Sequence, residues 1–369
     1  MSRVSSIFMK FYAATILLFF ALLIKPGLIS AFETDQYNLP PVPLADIGDE
    51  VAEYTEENIR KAIIKLNGEI AVRQACIENT SAKKAKCDSL DSERQRVAYL
   101  RSDEAVTREV FKLLGDGIIP FTKSGTWMNS HKFRAQPARY KTSYRKSIFV
   151  FLPTDYFTIS PTVNMYGTQF GTDKIAHFFQ QGYTYYRIYK RALAKGQSAH
   201  EAEQKVVRWG KMTEHTYFGT LVSGVFSNAD LYANYAGMKF YQGLAKSAKI
   251  GPNEVPAALK LNDGYWTFNE SVKAVLLKPF ISDHLNEALN PSAFIPGLRS
   301  SIRGIVRKQS CPQWRALYPN RTKNDFEETT KSLVNWHGED YGFKASKKFV
   351  TIANTCFGES SPTTAASRN

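Results

Sequence analysis

The sequence predicts a helix-dominated α+β protein with a central antiparallel helical layer and a smaller irregular β portion. Three observations predict it. Apolar residues recur at helical spacing over 50–114 and 172–245, a Gly-, Pro- and aromatic-rich stretch separates those regions, and the 369 residues are 43% hydrophobic and 22% charged. That balance belongs to a globular chain and excludes a disordered tail or a polytopic membrane protein.

The N-terminus differs from the rest. Arg3 and Lys10 precede Phe11–Ile24, a run of 14 uncharged residues rich in Leu, Ile and Phe, which Lys25 and Pro26 interrupt. A basic flank before a short apolar run marks an export signal, and the run falls short of the ~20 residues that span a bilayer. Ser30 and Ala31 are small enough for cleavage, although Leu28 or Ile29, three residues before the cut, is bulky. Residues 1–31 are therefore read as a signal peptide, with a retained N-terminal anchor as the alternative, and the expected location is periplasmic or secreted. The most apolar later run, Tyr217–Phe226, holds only ten residues and two glycines.

Residues 32–49 carry Pro40, Pro41 and Pro43 and are expected to lie extended on the surface. A single globular domain over 50–358 follows, and the Ser/Thr-rich end, 359–369, is expected to be disordered. Within the domain, 50–114 reads as a helical hairpin. Its first helix turns Val51, Ile59, Ala62, Ile63 and Leu66 inward, and its second runs from about Asp91 to Leu114. Residues 115–171 form a β or irregular basic segment in which Ser147–Leu152 has a strand texture. Three helices fill 172–245, and 246–358 is mixed, with helices near Glu270–Leu289 and Asp325–Trp336. Four cysteines in an exported chain imply two disulfides, and Cys76–Cys87 with Cys311–Cys356 is the most local of three pairings.

Charge points to a partner. The formal net charge is +14, and removal of Arg3, Lys10 and Lys25 with residues 1–31 leaves +11. Between Gly117 and Thr154 stand Lys123, Lys132, Arg134, Arg139, Lys141, Arg145 and Lys146 with no acid. A field of that sign suits an anionic envelope component, whether phospholipid, lipopolysaccharide or polysaccharide, and so a membrane surface. A solvated basic face without a ligand is the plainer alternative. Export argues against nucleic acid.

The chemistry-bearing stretch is Gly171–Gly237. Thr172 is the expected cap of its first helix and Lys195–Gly196 the stop, Ser198–Glu201 makes a capping box for the second, and Ser227 caps the third. Short connections make neighbouring helices antiparallel, which brings Asp173, His177, Glu214 and Asp230, with His215 and Asn234, toward one end of the layer. A histidine among carboxylates can act as a general base, giving His177, Asp173, Glu214 and Asp230 as catalytic candidates. It can equally ligate a divalent metal such as zinc through His177, Glu214, Asp230 and His215. Lys174, Asn234, Arg139, Lys141, Arg145 and Lys146 are the substrate-binding candidates. The function expected is an exported envelope-associated protein that binds an anionic ligand, with hydrolysis as its chemistry; the alternative is a non-catalytic binding or structural protein. HExxH, GxSxG and Gly-rich phosphate loops are absent from the sequence. Structural roles compete at each position: Asp173 and Asp230 suit helix first turns, and His177 suits an apolar core.

The string Asp173–Phe179 (DKIAHFF) resembles the DKxxHF motif of small bacterial envelope families, including VanZ-like proteins, without their multi-span membrane pattern. The resemblance implies an envelope location and a role for Asp173, Lys174 and His177, and carries no activity across. A second candidate stretch is Ser282–Ser292 (SDHLNEALNPS), where His284 and Glu287 would share a helix face in a supporting or substrate-loop role. The tyrosines of the central helices, among them Tyr183, Tyr185, Tyr186, Tyr232, Tyr235 and Tyr241, are read first as aromatic packing and second as the lining of a polar cleft.

Overall fold

A computed structural model describes residues 34–78, 87–119, 121–150, 159–216, 219–220, 224–346 and 349–358. The leader and the C-terminal tail lie outside the described residues. The protein is a helix-dominated α+β structure, and among the described residues the strands form only small antiparallel pairs.

Helix α1 (Gly48–Ile77) is long and buries Val51, Ile59, Ala62, Ile63, Leu66 and Ile70 along one stripe. The expected second helix is two, α2 (Leu90–Leu100) and α3 (Asp103–Leu114), because Ser102 leaves the helical path and accepts the N–H of Ala105 as a new cap. The Cys76–Cys87 disulfide ties α1 to the segment before α2. A short helix, α4 (Lys123–Ser130), capped by Thr122, stands where the sequence suggested only irregular chain.

Two of the expected extended segments form a hairpin, β1 (Thr162–Met165) and β2 (Thr168–Gly171). Its two-residue turn places both Tyr166 (φ 52°) and Gly167 (φ 80°) in the left-handed region, the requirement of a type I′ hairpin. Ser147–Val150 is not a strand: Tyr144–Lys146 makes a single 3-10 turn, and Ile148 and Phe149 turn into a buried cluster with Tyr37, Trp314 and Val350. Residues 151–152 of that expected strand lie outside the described residues.

The centre is α5 (Thr172–Leu193), α6 (Ala199–His215) and α7 (Asn228–Gln242). Thr172 is the first residue of α5 rather than its cap; Gly171 holds that place and the Thr172 hydroxyl donates to Asn129 Oδ1. The Ser198–Glu201 capping box and the Ser227 cap form as expected. Helices α5 and α7 cross at Gly182 and Gly237, where a methyl group on Gly182 would lie 2.6 Å from the Gly237 backbone. That approach sets the first turns of α5 and α7 side by side, and the site is built from them.

After α7 come the hairpins β4–β5 (Ala248–Ile250, Asn253–Val255) and β6–β7 (Leu259–Asn262, Tyr265–Phe268). The helix expected near 270–289 is instead three 3-10 turns, Glu270–Val275, Lys278–Phe280 and Asp283–Leu285. A two-residue strand pair joins β3 (Val225–Phe226) to β8 (Ala293–Phe294). Then α8 (Pro296–Ile305), a π-turn and α9 (Cys311–Leu317) run on, followed by α10 (Lys323–Ser332) and α11 (Ile352–Cys356), with Cys311 bonded to Cys356.

The lead segment corrects the sequence reading most. Residues Thr34 to Asn38 are buried, not superficial, and Tyr37 joins the cluster around Trp314 and Val350. The prolines that suggested exposure lie just beyond, and Pro41 and Pro43 are exposed.

The two disulfides close chain separations of 11 and 45 residues. Loop-closure entropy then assigns about 3 kcal/mol to the first and about 4 kcal/mol to the second. Urea unfolding of the Cys76→Ser/Cys87→Ser and Cys311→Ser/Cys356→Ser variants is expected to show the larger loss for the second pair.

Candidate functional site

The first turn of α5 supplies Asp173, Lys174 and, one turn on, His177; the first two turns of α7 supply Asp230 and Asn234. The third contributor is Glu287, just after the last 3-10 turn. Asp173 and Lys174 are 0% exposed, and His177, Asp230 and Glu287 no more than 3%.

Lys174 is the hub. Its ammonium donates to Asp173 Oδ2 at 2.6 Å and to Glu287 Oε1 at 2.5 Å. It also lies 2.6 Å from Asp230 Oδ1, an ion pair rather than a directed hydrogen bond. Glu287 Oε1 further accepts the Ser227 hydroxyl at 3.1 Å, and Ser227 Oγ accepts the N–H of Asp230 at 3.1 Å. Asp173 Oδ1 accepts the Thr34 hydroxyl at 2.6 Å.

His177 stands beside the hub. His177 Nδ1 lies 3.1 Å from Asn234 Oδ1, and its Nε2 lies 3.6 Å from Asp230 Oδ2. Asn234 Nδ2 donates in turn to the buried Tyr185 hydroxyl at 3.5 Å. Glu214 closes the edge of the group: its Oε1 accepts the N–H of Ser227 at 2.8 Å.

Negative charge exceeds positive here, since Asp173, Asp230, Glu287 and Glu214 face one ammonium and one imidazole. Burial disfavours the charged forms of Glu287 and Glu214. Desolvation moves the Glu287 carboxyl up to about 7 against the opposing pull of Lys174, with Asp230 and Asp173 adding to the rise. Desolvation followed by the Asp230 charge holds Glu214 well above the carboxylate range, while the Ser227 N–H and Lys174 oppose.

The structure brings together His177, Asp173, Asp230 and, at the margin, Glu214, and joins Asn234 to His177. It does not bring in His215, which points outward against the Phe226 ring with Lys344 Nζ 3.1 Å from its Nε2. Helical geometry explains this: adjacent residues point about 100° apart, so Glu214 inside puts His215 outside. The expected zinc set of His177, Glu214, Asp230 and His215 is therefore not assembled. The oxygens that do converge belong to Asp173, Asp230 and Glu287, within 4.8 Å of one another, an all-carboxylate set suited to a hard cation rather than zinc. The Lys174 ammonium lies in contact with all three, so the site's own cation already occupies that position.

Lys174, expected to meet substrate, is enclosed instead. The basic segment also divides. Arg139 is spent on the carbonyls of Met128 (2.5 Å) and His131 (2.9 Å). Arg134 pairs with Glu50 and Glu53, and Lys123 reaches Asp116 and the Lys112 carbonyl. Lys132, Lys141, Arg145 and Lys146 are exposed, with no ion-pair partner among the described residues.

Glu287 and Thr34 are the residues that sequence reasoning placed elsewhere. The sequence pairs Glu287 with His284 in a separate supporting or substrate-loop stretch; the structure puts Glu287 in the Lys174 centre, whereas His284 faces away, bonded to the Asn335 carbonyl and the Ser282 hydroxyl. The tyrosines follow the packing reading. Tyr183, Tyr185, Tyr186, Tyr232, Tyr235 and Tyr241 are buried, although Tyr186, Tyr189 and Tyr241 also border a separate cleft of about 320 Å³ with Lys190, Lys239 and Lys249. No protein-family model matches the chain, and neither a curated protein nor a solved structure matches it.

Two outcomes are expected. Lys174→Met leaves buried carboxylates without their cation and should destabilise the fold by about 3–5 kcal/mol in urea titrations. The second concerns pH. Unfolded Glu287 loses its proton near 4.5 and folded Glu287 near 7, so between those values the folded state binds more protons. Stability therefore falls as pH rises through that window. Glu287→Gln should flatten the dependence of Tm on pH there, and an unchanged slope would reject this assignment.

Proposed function

We propose that the protein is an exported, envelope-associated protein that binds an anionic ligand and carries a buried acid–base centre for its hydrolysis. In this reading His177 and Glu287 move protons, Lys174 is a fixed positive charge, and Asp173 and Asp230 hold both in place. The observation that carries it is the convergence of Asp173, Lys174 and His177 with Asp230 and Glu287 from three separate chain segments. One lysine–carboxylate pair would suffice to fix helices, whereas this centre buries surplus acid and raises carboxyl groups toward neutral pH, the condition of an acid–base catalyst. The two disulfides are compatible with an oxidising compartment outside the cytoplasm. No helix of the described residues is long and apolar enough to cross a membrane. Exposed Lys132, Lys141, Arg145 and Lys146 supply the anion-attracting face.

The enclosure of the same group favours a second reading, a non-catalytic binding or structural protein in which the Lys174 network only holds helices together. One comparison separates them. The purified chain is assayed for hydrolysis of phospholipid, lipopolysaccharide and acidic polysaccharide, alongside His177→Ala. The first reading expects turnover that falls by about 10²-fold or more in the variant at unchanged binding. Absence of turnover on all three classes, with binding that weakens as salt is raised, would leave the second.

A further inference from the structure

The segment Thr34–Asn38 is buried residue by residue, from 1% exposure at Thr34 to 5% at Asn38, although it has no regular secondary structure. Its contacts fall into two sets. Toward the centre, the Thr34 hydroxyl donates to Asp173 Oδ1 at 2.6 Å, Gln36 Oε1 accepts the N–H of Glu287, and Gln36 Nε2 donates to the Gln169 carbonyl at 3.3 Å. Away from it, the Tyr37 hydroxyl donates to the Val350 carbonyl at 2.7 Å and the Tyr37 carbonyl accepts Trp314 Nε1 at 2.8 Å. Asp35 Oδ2 accepts from Asn38 Nδ2 at 2.6 Å and from the N–H of Ile148 at 3.0 Å.

We propose that Thr34–Asn38 is a strap over the Lys174 centre: Thr34 positions Asp173, Gln36 positions Glu287, and a ligand reaches the centre when the Thr34–Gln36 end lifts. The inference rests on reading that centre as a functional site. The strap's two ends are held by different forces. Tyr37 is embedded in an apolar cluster with Ile148, Trp314 and Val350, an anchor that water cannot replace. Thr34 and Gln36 hold the centre through a neutral hydroxyl and an amide, and water can take over each of those bonds once the segment moves. Lifting that end also releases Asp35 from the Ile148 N–H and the Asn38 amide, polar bonds that water can likewise take over, so the hinge falls between Gln36 and Tyr37. Gly171 is fitted to the same closure, because a methyl group there would overlap both Thr34 Oγ1 and Asp173 Oδ1.

Carbodiimide labelling of carboxylates in the full chain, read by mass spectrometry, tests the strap without requiring turnover. In Thr34→Val/Gln36→Ala, labelling of Asp173 and Glu287 is expected to rise about fivefold or more for each hydrogen bond lost. Glu203 and Glu339, which pair with Lys239 elsewhere, serve as controls and should label at the native rate. Thr34→Ser restores the hydroxyl and should label Asp173 as the native chain does, whereas Thr34→Val alone should not; this pair decides the matter if the double variant fails to fold. Unchanged labelling at Asp173 and Glu287, or a rise shared equally by Glu203 and Glu339, would overturn the proposal. Either result is independent of the His177 assay, so failure of the strap and failure of the acid–base reading are distinguishable.

Discussion

Everything in the middle of this protein is arranged around one ammonium group. Lys174 is wholly enclosed and held by Asp173, Asp230 and Glu287. Removing an ion from water costs several kcal/mol, and attraction repays that only when geometry and hydrogen bonding are good. The surroundings meet this demand in layers. Asp173 and Asp230 lie in helix first turns, where the dipole favours an anion; the Thr34 hydroxyl satisfies the Asp173 oxygen that the lysine does not take up, and the Ser227 hydroxyl shares Glu287 Oε1 with it. The close Gly182–Gly237 crossing is what lets two helix starts meet at hydrogen-bonding distance.

The acid surplus gives the centre its chemical character. A balanced pair would be silent near neutral pH, but Glu287 and Glu214 retain protons to higher pH than free carboxyls do. The basic face is of another kind. Four of its seven cations are left to solvent and the other three are consumed in holding carbonyls and local acids.

How much of this was legible follows from how each contact is made. Asp173, His177, Asp230 and Asn234 could be brought together from sequence because helix periodicity and short connections are regular, and the cysteine pairing followed from separation alone. His215 was misassigned because the residue next to inward-facing Glu214 on a helix points about 100° away from it. Glu287 was obscured because consecutive 3-10 turns have no apolar period to read. Thr34 was hidden by adjacent prolines and by distance: its partner lies 139 positions along the chain. The strand expected at Ser147 failed because Ile148 and Phe149 are apolar for tertiary reasons, filling space beside Tyr37.

The strap also bears on the order in which the protein can be completed. Among the described residues it is the first stretch synthesised, yet its partners Asp173, Glu287, Trp314 and Val350 follow it by 139, 251, 277 and 313 positions. Such distant closures are entropically slow and come late in folding. The helices can collapse on local contacts while Thr34–Asn38 waits for the last tenth of the chain. Until then the charged centre stands open to water, and a nascent or truncated chain carries its lysine and acids uncovered.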